Sequence, residues 1–262
     1  MKRVLTIAGA AAQGSAGIQA DLKVFQERKV YGMTAITATV ANNSRTKQGI
    51  FIREMEEIEA QFFAATEMVG VDAVKTGMLF SEEIIERVAE LLQEYPPPVL
   101  VVDPVMVGKM GSQLLADHAI ESLIRKLVPL ATVITPNRLE AAHMLHDKIP
   151  ETKEELEAYA KRLFVQGAKA VVIKGGVIDG KAIDILYDGK EWEWMEAEAI
   201  DTIHTSGAGC SFAACLTAEL AKGKSLKEAV YVSKKFVHEA IKHSLSFGKG
   251  IGSVNHGAFQ EE

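Results

Sequence analysis

The chain predicts an α/β fold, with a mostly parallel sheet covered by helices on both faces. Two observations carry this expectation. Short apolar runs alternate with longer stretches of helical periodicity along most of the 262 residues, which is the pattern of βαβ units. The runs are apolar at consecutive positions, as strands buried on both faces are. Composition agrees: 48% of the residues are hydrophobic and only 7 are proline, enough to bury one large core. A single domain over residues 1–262 is the expected organisation.

In chain order, VLTIAG predicts the first strand and IQADLKVFQER the helix after it. ITATVA predicts a second strand and VDAVKTGML a third, followed by the helix EEIIERVAELL. The run Pro96 to Pro98 is a rigid lead into the strand VLVVD, and AIESLIRKLV is the next helix. ATVITPN then reads as a strand and LEAAHML as a helix. Between 153 and 164, the residues Leu156, Tyr159, Ala160, Leu163 and Phe164 recur at helical spacing, ahead of the strand AKAVVIKGG. From 182 to 201, AIDILYDGKEWEWMEAEAID predicts a hairpin turning at Asp188-Gly189. Two helices follow, one from Gly209 to Lys222 and one from the N-cap Ser225 to about Lys242, with Gly223 suited to the helix end between them.

With 29 basic and 35 acidic residues the net charge is −6, and no basic patch is visible, which argues against nucleic acid or an acidic membrane as partner. MKRVLTIAGA passes straight into a glycine-rich turn, and no apolar stretch is long enough to span a bilayer, so a soluble protein is expected. Cys210 and Cys215 lie five apart on one predicted helix, facing different ways, and cannot form a tight metal or disulfide pair. A reducing cytoplasm suits this usage.

Ligands of parallel α/β sheets bind outside the carboxyl ends of the strands. After the first strand comes GAAAQGSAG, a small-residue turn that fits neither G-x-G-x-x-G nor the P-loop pattern. Asp103 follows VLVV, and Asn137 follows ATVITP with Glu140 one helical turn later. Two carboxylates at neighbouring strand ends suit a hydrated Mg²⁺, which needs few protein ligands beside substrate phosphate. The plainer readings are a helix N-cap for Asn137 and a solvated charge for Glu140. Lys174, with Gly175 behind it, ends the strand AVVIK and either reaches a phosphate or is a surface lysine. In TSGAGCSF, the glycines Gly207 and Gly209 flank Ala208 where a helix begins, and its unpaired N–H groups and dipole make an anion site. A thiol at Cys210 in that field is biased toward thiolate, although a free cysteine is more often a small buried hydrophobe. Together these positions have the layout of a phosphoryl-transfer enzyme, with Cys210 as base toward the attacking hydroxyl.

At LTIAG with AGIQADLK, VYGMTAITA, VKTGML, VVDPVM, LATVITPNxxEA, VVIKGG, GAGCSF, TAELAKG and GIGxVNH, the chain resembles the vitamin-kinase branch of the ribokinase superfamily. That branch comprises hydroxymethylpyrimidine/phosphomethylpyrimidine kinases and cysteine-type pyridoxal kinases. The resemblance implies a ribokinase-like three-layer α/β/α fold, ATP as phosphoryl donor, Mg²⁺, a small vitamin precursor as acceptor and a homodimer. It places Gly9, Asp21, Val40, Asn42 and Met78 around the ring of the substrate. Asn137, Lys174 and Gly175 fall to the nucleotide phosphates, Asp103 and Glu140 to the metal, and Gly207, Ala208, Gly209 and Cys210 to catalysis.

The chain also departs from that pattern. The usual first loop, similar to GSDSSGGAG, here reads GAAAQGSAG, so Ala11 replaces an aspartate. Ala41-Asn42-Asn43-Ser44 stands where pyrimidine kinases have Ala-Gln-Asn-Thr, and Ser206 where histidine is usual. Gly108 occupies the place of the second cysteine with which pyridoxal kinases of this type hold their aldehyde. The resemblance therefore implies a hydroxymethylpyrimidine kinase of thiamine synthesis, with a pyridoxine or pyridoxal kinase as the alternative. A nucleotide-binding relative without turnover is the weaker third reading, motivated by Ala11 and Ser206.

Overall fold

The computed structural model describes residues 1–107 and 114–260. The chain forms two compact units. The first comprises Met1–Phe80, Pro97–Val99 and Thr202–Glu262, and the second Ser81–Pro96 and Leu100–Asp201. The chain passes between them inside the proline-rich lead, at Pro96/Pro97 and again at Val99/Leu100.

The first unit contains β1 (Arg3–Ala11), α1 (Gly17–Glu27), β2 (Tyr31–Val40), β3 (Ile50–Ile52), α2 (Met55–Met68) and β4 (Ala73–Thr76). Its strands lie in the order β3-β2-β1-β4. β1 runs parallel to β2 and β4, while β3 pairs antiparallel with β2. Val4 to Ala10 are all buried, so both faces of β1 are covered and the sequence there has no polar alternation. Two elements, β3 and α2, have no counterpart in the sequence reading. Ile58, Phe62 and Ala65 are the buried face of α2, spaced by four and three residues, a narrow apolar stripe.

The second unit contains α3 (Glu82–Glu94), β5 (Leu100–Val102), α4 (Asp117–Ser122), β6 (Val133–Ile134), α5 (Arg138–Leu145), α6 (Lys153–Phe164), β7 (Val171–Ile178), β8 (Lys181–Tyr187) and β9 (Trp192–Glu198). Its strand order is β5-β6-β7-β8-β9, with β5, β6 and β7 parallel and the last two strands antiparallel. The hairpin at Asp188-Gly189 forms as expected, with Asp188 accepting from the amides of Lys190 and Glu191. The stretch read as one helix from Ala119 is α4 continued by a wide π turn at Leu123–Leu127 and a 3₁₀ turn at Val128–Leu130.

Two helices return to the first unit, α7 (Ala208–Ala221) and α8 (Leu226–Lys242). Ser225 caps α8 through a reciprocal pair with Glu228. α7 is held by core contacts of Ala214, Cys215 and Ala218 with Val4, Val24 and Phe25. Glu219, fully buried on α7, takes Arg28 at 2.7 Å, Lys222 at 2.7 Å and Lys224 at 2.8 Å. Burial pushes this carboxyl up, but the three cations outweigh it and hold the group below its ordinary range. These contacts fix where the amino end of α7 lies.

Candidate active site

In the second unit, Asp103 follows β5, Asn137 follows β6 and Lys174 lies in β7, and these are three adjacent parallel strands. Asn137 and Lys174 are bridged across β6 and β7, with the Lys174 amide donating to the Pro136 carbonyl at 2.9 Å. The Lys174 ammonium reaches Asp103 Oδ1 at 2.9 Å, and Thr135 Oγ1 donates to the same oxygen at 3.1 Å. Asn137 caps α5, its Oδ1 accepting from the Glu140 amide at 2.9 Å, while Glu140 Oε2 accepts from the Asn137 amide at 2.8 Å. This capping box aims the Glu140 carboxylate back over the helix start.

Asp103 and Glu140 are only 2% and 3% exposed. Glu140 is therefore no solvated charge, and Lys174, at 15%, is no ordinary surface lysine. Burial pushes the Glu140 carboxyl up to about 7; Lys174 opposes this, Asp103 adds to it, and the amides of Asn137 and Met106 hold it down. Such a group binds a cation once its charge is compensated. Among the described residues, no cluster of three or more His, Cys, Asp or Glu side chains is arranged for a metal. Two carboxylates beside a lysine fit Mg²⁺, which keeps several waters and shares its remaining positions with phosphate oxygens.

Gly175 is packed into the sheet. Its amide donates to Asp184 Oδ1 at 3.2 Å, and a Cβ there would lie 2.4 Å from the Ile183 carbonyl oxygen. Gly108 lies outside the described residues.

In the first unit, the amino end of α7 is bare of side-chain caps. Gly207 is the N-cap with φ +89°, and α7 begins at Ala208, one residue earlier than the sequence indicates. A Cβ on Gly207 would sit 1.8 Å from the Ser15 carbonyl oxygen, so only glycine permits this approach. Ala208, Gly209 and Cys210 form the first turn, at the positive end of the helix dipole, and the Ala208 amide donates to the Thr205 carbonyl at 3.2 Å. Cys210 is half-buried, and its sulfur accepts from the Gly17 amide at 3.4 Å. Cys215 is fully buried, and burial pushes its thiol up to about 12, so the two cysteines differ in kind. Beside Gly207 stands His256, 6% exposed, whose Nε2 has no hydrogen-bond partner among the described residues. Burial and the nearby Lys23 push its imidazole down to about 4.

The expected ring-pocket residues divide. Gly9, at a bulge of β1, Val40, ending β2, and Met78, just past β4, lie at the carboxyl ends of neighbouring parallel strands. Asn42 is exposed beyond β2 and packs its side chain against Gly49. Asp21 is placed differently: it is fully buried on α1, with both oxygens 2.8 Å from Lys75 Nζ and one accepting from Thr6 at 2.7 Å. Its carboxylate is the counter-ion of Lys75 inside the unit. Residues the sequence reading missed include Phe80, at φ +68°, whose ring lies against Gly9, together with Ser15, Gly17, Lys75 and His256. Lys75 carried a signal of its own, as a lysine inside an otherwise apolar strand, while Ser15 and Gly17 lie in the small-residue turn GAAAQGSAG and His256 ends GIGxVNH.

The family model of phosphomethylpyrimidine kinase matches residues 12–255. The chain is 46% identical to a pyridoxine kinase of Bacillus subtilis over 99% of its own length and 97% of that protein. It is 43% identical to a hydroxymethylpyrimidine/phosphomethylpyrimidine kinase of Streptomyces coelicolor, covering 97% and 94% of the two chains. Its structure superposes on an ADP complex of Bacillus subtilis pyridoxal kinase with a TM-score of 0.93, at 45% identity and 98% coverage of both chains. The chain thus belongs to the phosphomethylpyrimidine kinase family, with a ribokinase-like α/β fold, and is an ATP-dependent small-molecule kinase of its vitamin-kinase branch.

Proposed function

We propose that the protein phosphorylates the hydroxymethyl group of hydroxymethylpyrimidine, and in turn of its monophosphate, with ATP as donor and Mg²⁺ as cofactor. The observation that carries the donor side of this reading is the Lys174–Asp103 pair at 2.9 Å beside the buried Glu140. On the acceptor side it rests on the place of Cys210 in the first turn of α7 and on the Gly17 amide that donates to its sulfur.

In this mechanism the acceptor oxygen forms a bond to the terminal phosphorus of ATP as the bond to the ADP oxygen breaks. Cys210 takes the hydroxyl proton, held as thiolate by the helix end. Amides of residues 207–210 donate to the transferring phosphoryl oxygens, where charge is spread in the transition state. Lys174 neutralises phosphate charge as a point cation. Asp103 and Glu140 would hold Mg²⁺, which would supply charge neutralisation on the phosphates. Asn137 fixes Glu140 through the capping box. Gly9, Val40, Asn42 and Met78 receive the ring.

A second reading, a pyridoxine-type alcohol as acceptor, is favoured by the 46% identity to a pyridoxine kinase. Gly108 weighs against pyridoxal, since a glycine has no thiol with which to hold an aldehyde. The test is ATP consumption with Mg²⁺ in parallel on hydroxymethylpyrimidine, its monophosphate, pyridoxine and pyridoxal, with products identified by mass. Turnover of the pyrimidine and its phosphate upholds the proposal, and turnover of pyridoxine alone replaces it with the second reading. No turnover of any acceptor overturns both.

A further inference from the structure

We propose that Ser15 and Ser206 are positioning residues for Cys210, forming a hydroxyl latch that fastens the turn after β1 over the amino end of α7. Ser15 Oγ and Ser206 Oγ lie 2.9 Å apart, and either can donate. The Ser206 side of this pair is a fixed anchor, because its amide donates to the Gly252 carbonyl at 3.1 Å and its carbonyl accepts from the Val254 amide at 3.0 Å. The Ser15 side belongs to the glycine-rich turn. Two residues further along, the Gly17 amide reaches the Cys210 sulfur at 3.4 Å. Gly17 has φ +59°, and a Cβ there would lie 2.1 Å from the Gly9 carbonyl oxygen, so its backbone tolerates no side chain.

The turn has other ties: Gly17 is bridged to Ala10 and opens α1, and two contacts hold the earlier residues. The Ala12 amide donates to the Val40 carbonyl at 2.8 Å, and Lys23 Nζ donates to the Gly14 carbonyl at 2.7 Å. The hydroxyl pair is thus the side-chain tie at the end of the turn that touches the sulfur. An amide donating to sulfur favours the thiolate over the thiol. Releasing the latch frees Ser15 and Ala16, which lead into Gly17, and so loosens the aim of the Gly17 amide at the sulfur while leaving Cys210 on its helix. This inference rests on the reading of Cys210 as the base, but the latch is measurable without turnover.

The experiment measures iodoacetamide alkylation of Cys210 across pH in the full chain, taking the rate at pH 7 relative to each variant's own alkaline plateau. That ratio separates thiolate formation from access. Ser15→Ala and Ser206→Ala are each expected to lower it by roughly threefold to tenfold, the worth of one ordinary hydrogen bond. The double variant is expected to match either single one, because both remove the same contact. Ser206→Thr, which keeps the hydroxyl, is expected to retain the wild-type ratio. Unchanged ratios in both alanine variants, effects that multiply in the double variant, or a loss in Ser206→Thr equal to that in Ser206→Ala would overturn the latch. Cys215 is buried and stays unlabelled while the protein is folded. If an alanine variant labels there, Ser206→Thr decides, upholding the latch by a retained ratio and overturning it by a lost one. A positive cycle in a protein that phosphorylates no vitamer upholds the latch while the functional reading fails.

Discussion

Lys75 Nζ lies 2.8 Å from both carboxylate oxygens of Asp21, and neither side chain has any exposure. A lysine on β4 and an aspartate on α1 thus neutralise each other inside the first unit, with Thr6 of β1 donating to the same carboxylate. Desolvating both charges costs several kcal/mol, and their attraction offsets that cost only while both are present.

Asp21→Ala leaves the Lys75 ammonium buried without its counter-ion. The expected result is a loss of about 3–5 kcal/mol in urea unfolding, with the double variant Asp21→Leu/Lys75→Met losing less than Asp21→Ala. Stability equal to wild type in Asp21→Ala, accompanied by a raised Michaelis constant, would return Asp21 to the substrate pocket.

Cys210→Ala removes the proposed base while keeping the amides of the helix end. Turnover is expected to fall by roughly 10²-fold or more, with little change in the Michaelis constant for ATP. Steady-state kinetics with the accepted vitamer decides this, and wild-type turnover excludes the thiolate from the proton transfer.

Glu140 ties pH to stability with a definite sign. Its carboxyl is raised from an ordinary 4.5 to about 7, chiefly by burial. Folding therefore favours the protonated form, and the contribution is full below the ordinary value and disappears as pH rises through about 7. In metal-free protein, Glu140→Gln is expected to be as stable at pH 8 as at pH 6, whereas wild type weakens over that interval. The same substitution is expected to raise the Mg²⁺ concentration needed for half-maximal activity. A variant whose stability profile matches wild type would remove Glu140 as the titrating group.

His256 carries the opposite sign. Its imidazole is lowered from 6.5 to about 4, chiefly by burial and then by Lys23. The neutral ring is the folded form, so its contribution is complete above 6.5 and is lost as pH falls through about 4. His256→Gln is expected to flatten the acid limb of the unfolding free energy between those values. An acid limb unchanged in the variant assigns that limb to other groups.

The sequence by itself determined the elements and the chemistry at their ends. Continuous apolar runs marked β1 and β7, heptad-like apolar spacing marked α6 with the same limits that the structure shows, and Ser225 announced α8. These signals are local: a strand buried on both faces must be apolar throughout, and a helix end must find acceptors for its amides. Asp103, Asn137, Glu140, Lys174 and Cys210 were legible for the same reason, as polar residues placed just past apolar runs. The chain's weaker elements were not, since β3 has three residues, two of them exposed, and α2 buries only a narrow stripe.

Tertiary structure alone decided which partners those residues meet. Asp21 and Lys75 are 54 residues apart in sequence, and Ser15 and Ser206 are 191 apart, so no local spacing announces either pair. Gly175 meets the Ile183 carbonyl and the Asp184 carboxylate, which follow it by eight and nine residues across a strand pairing. The physical reason is the same in each case. Local sequence sets backbone conformation, but the cost of burying a charge or an amide is met by whatever group packing delivers to it.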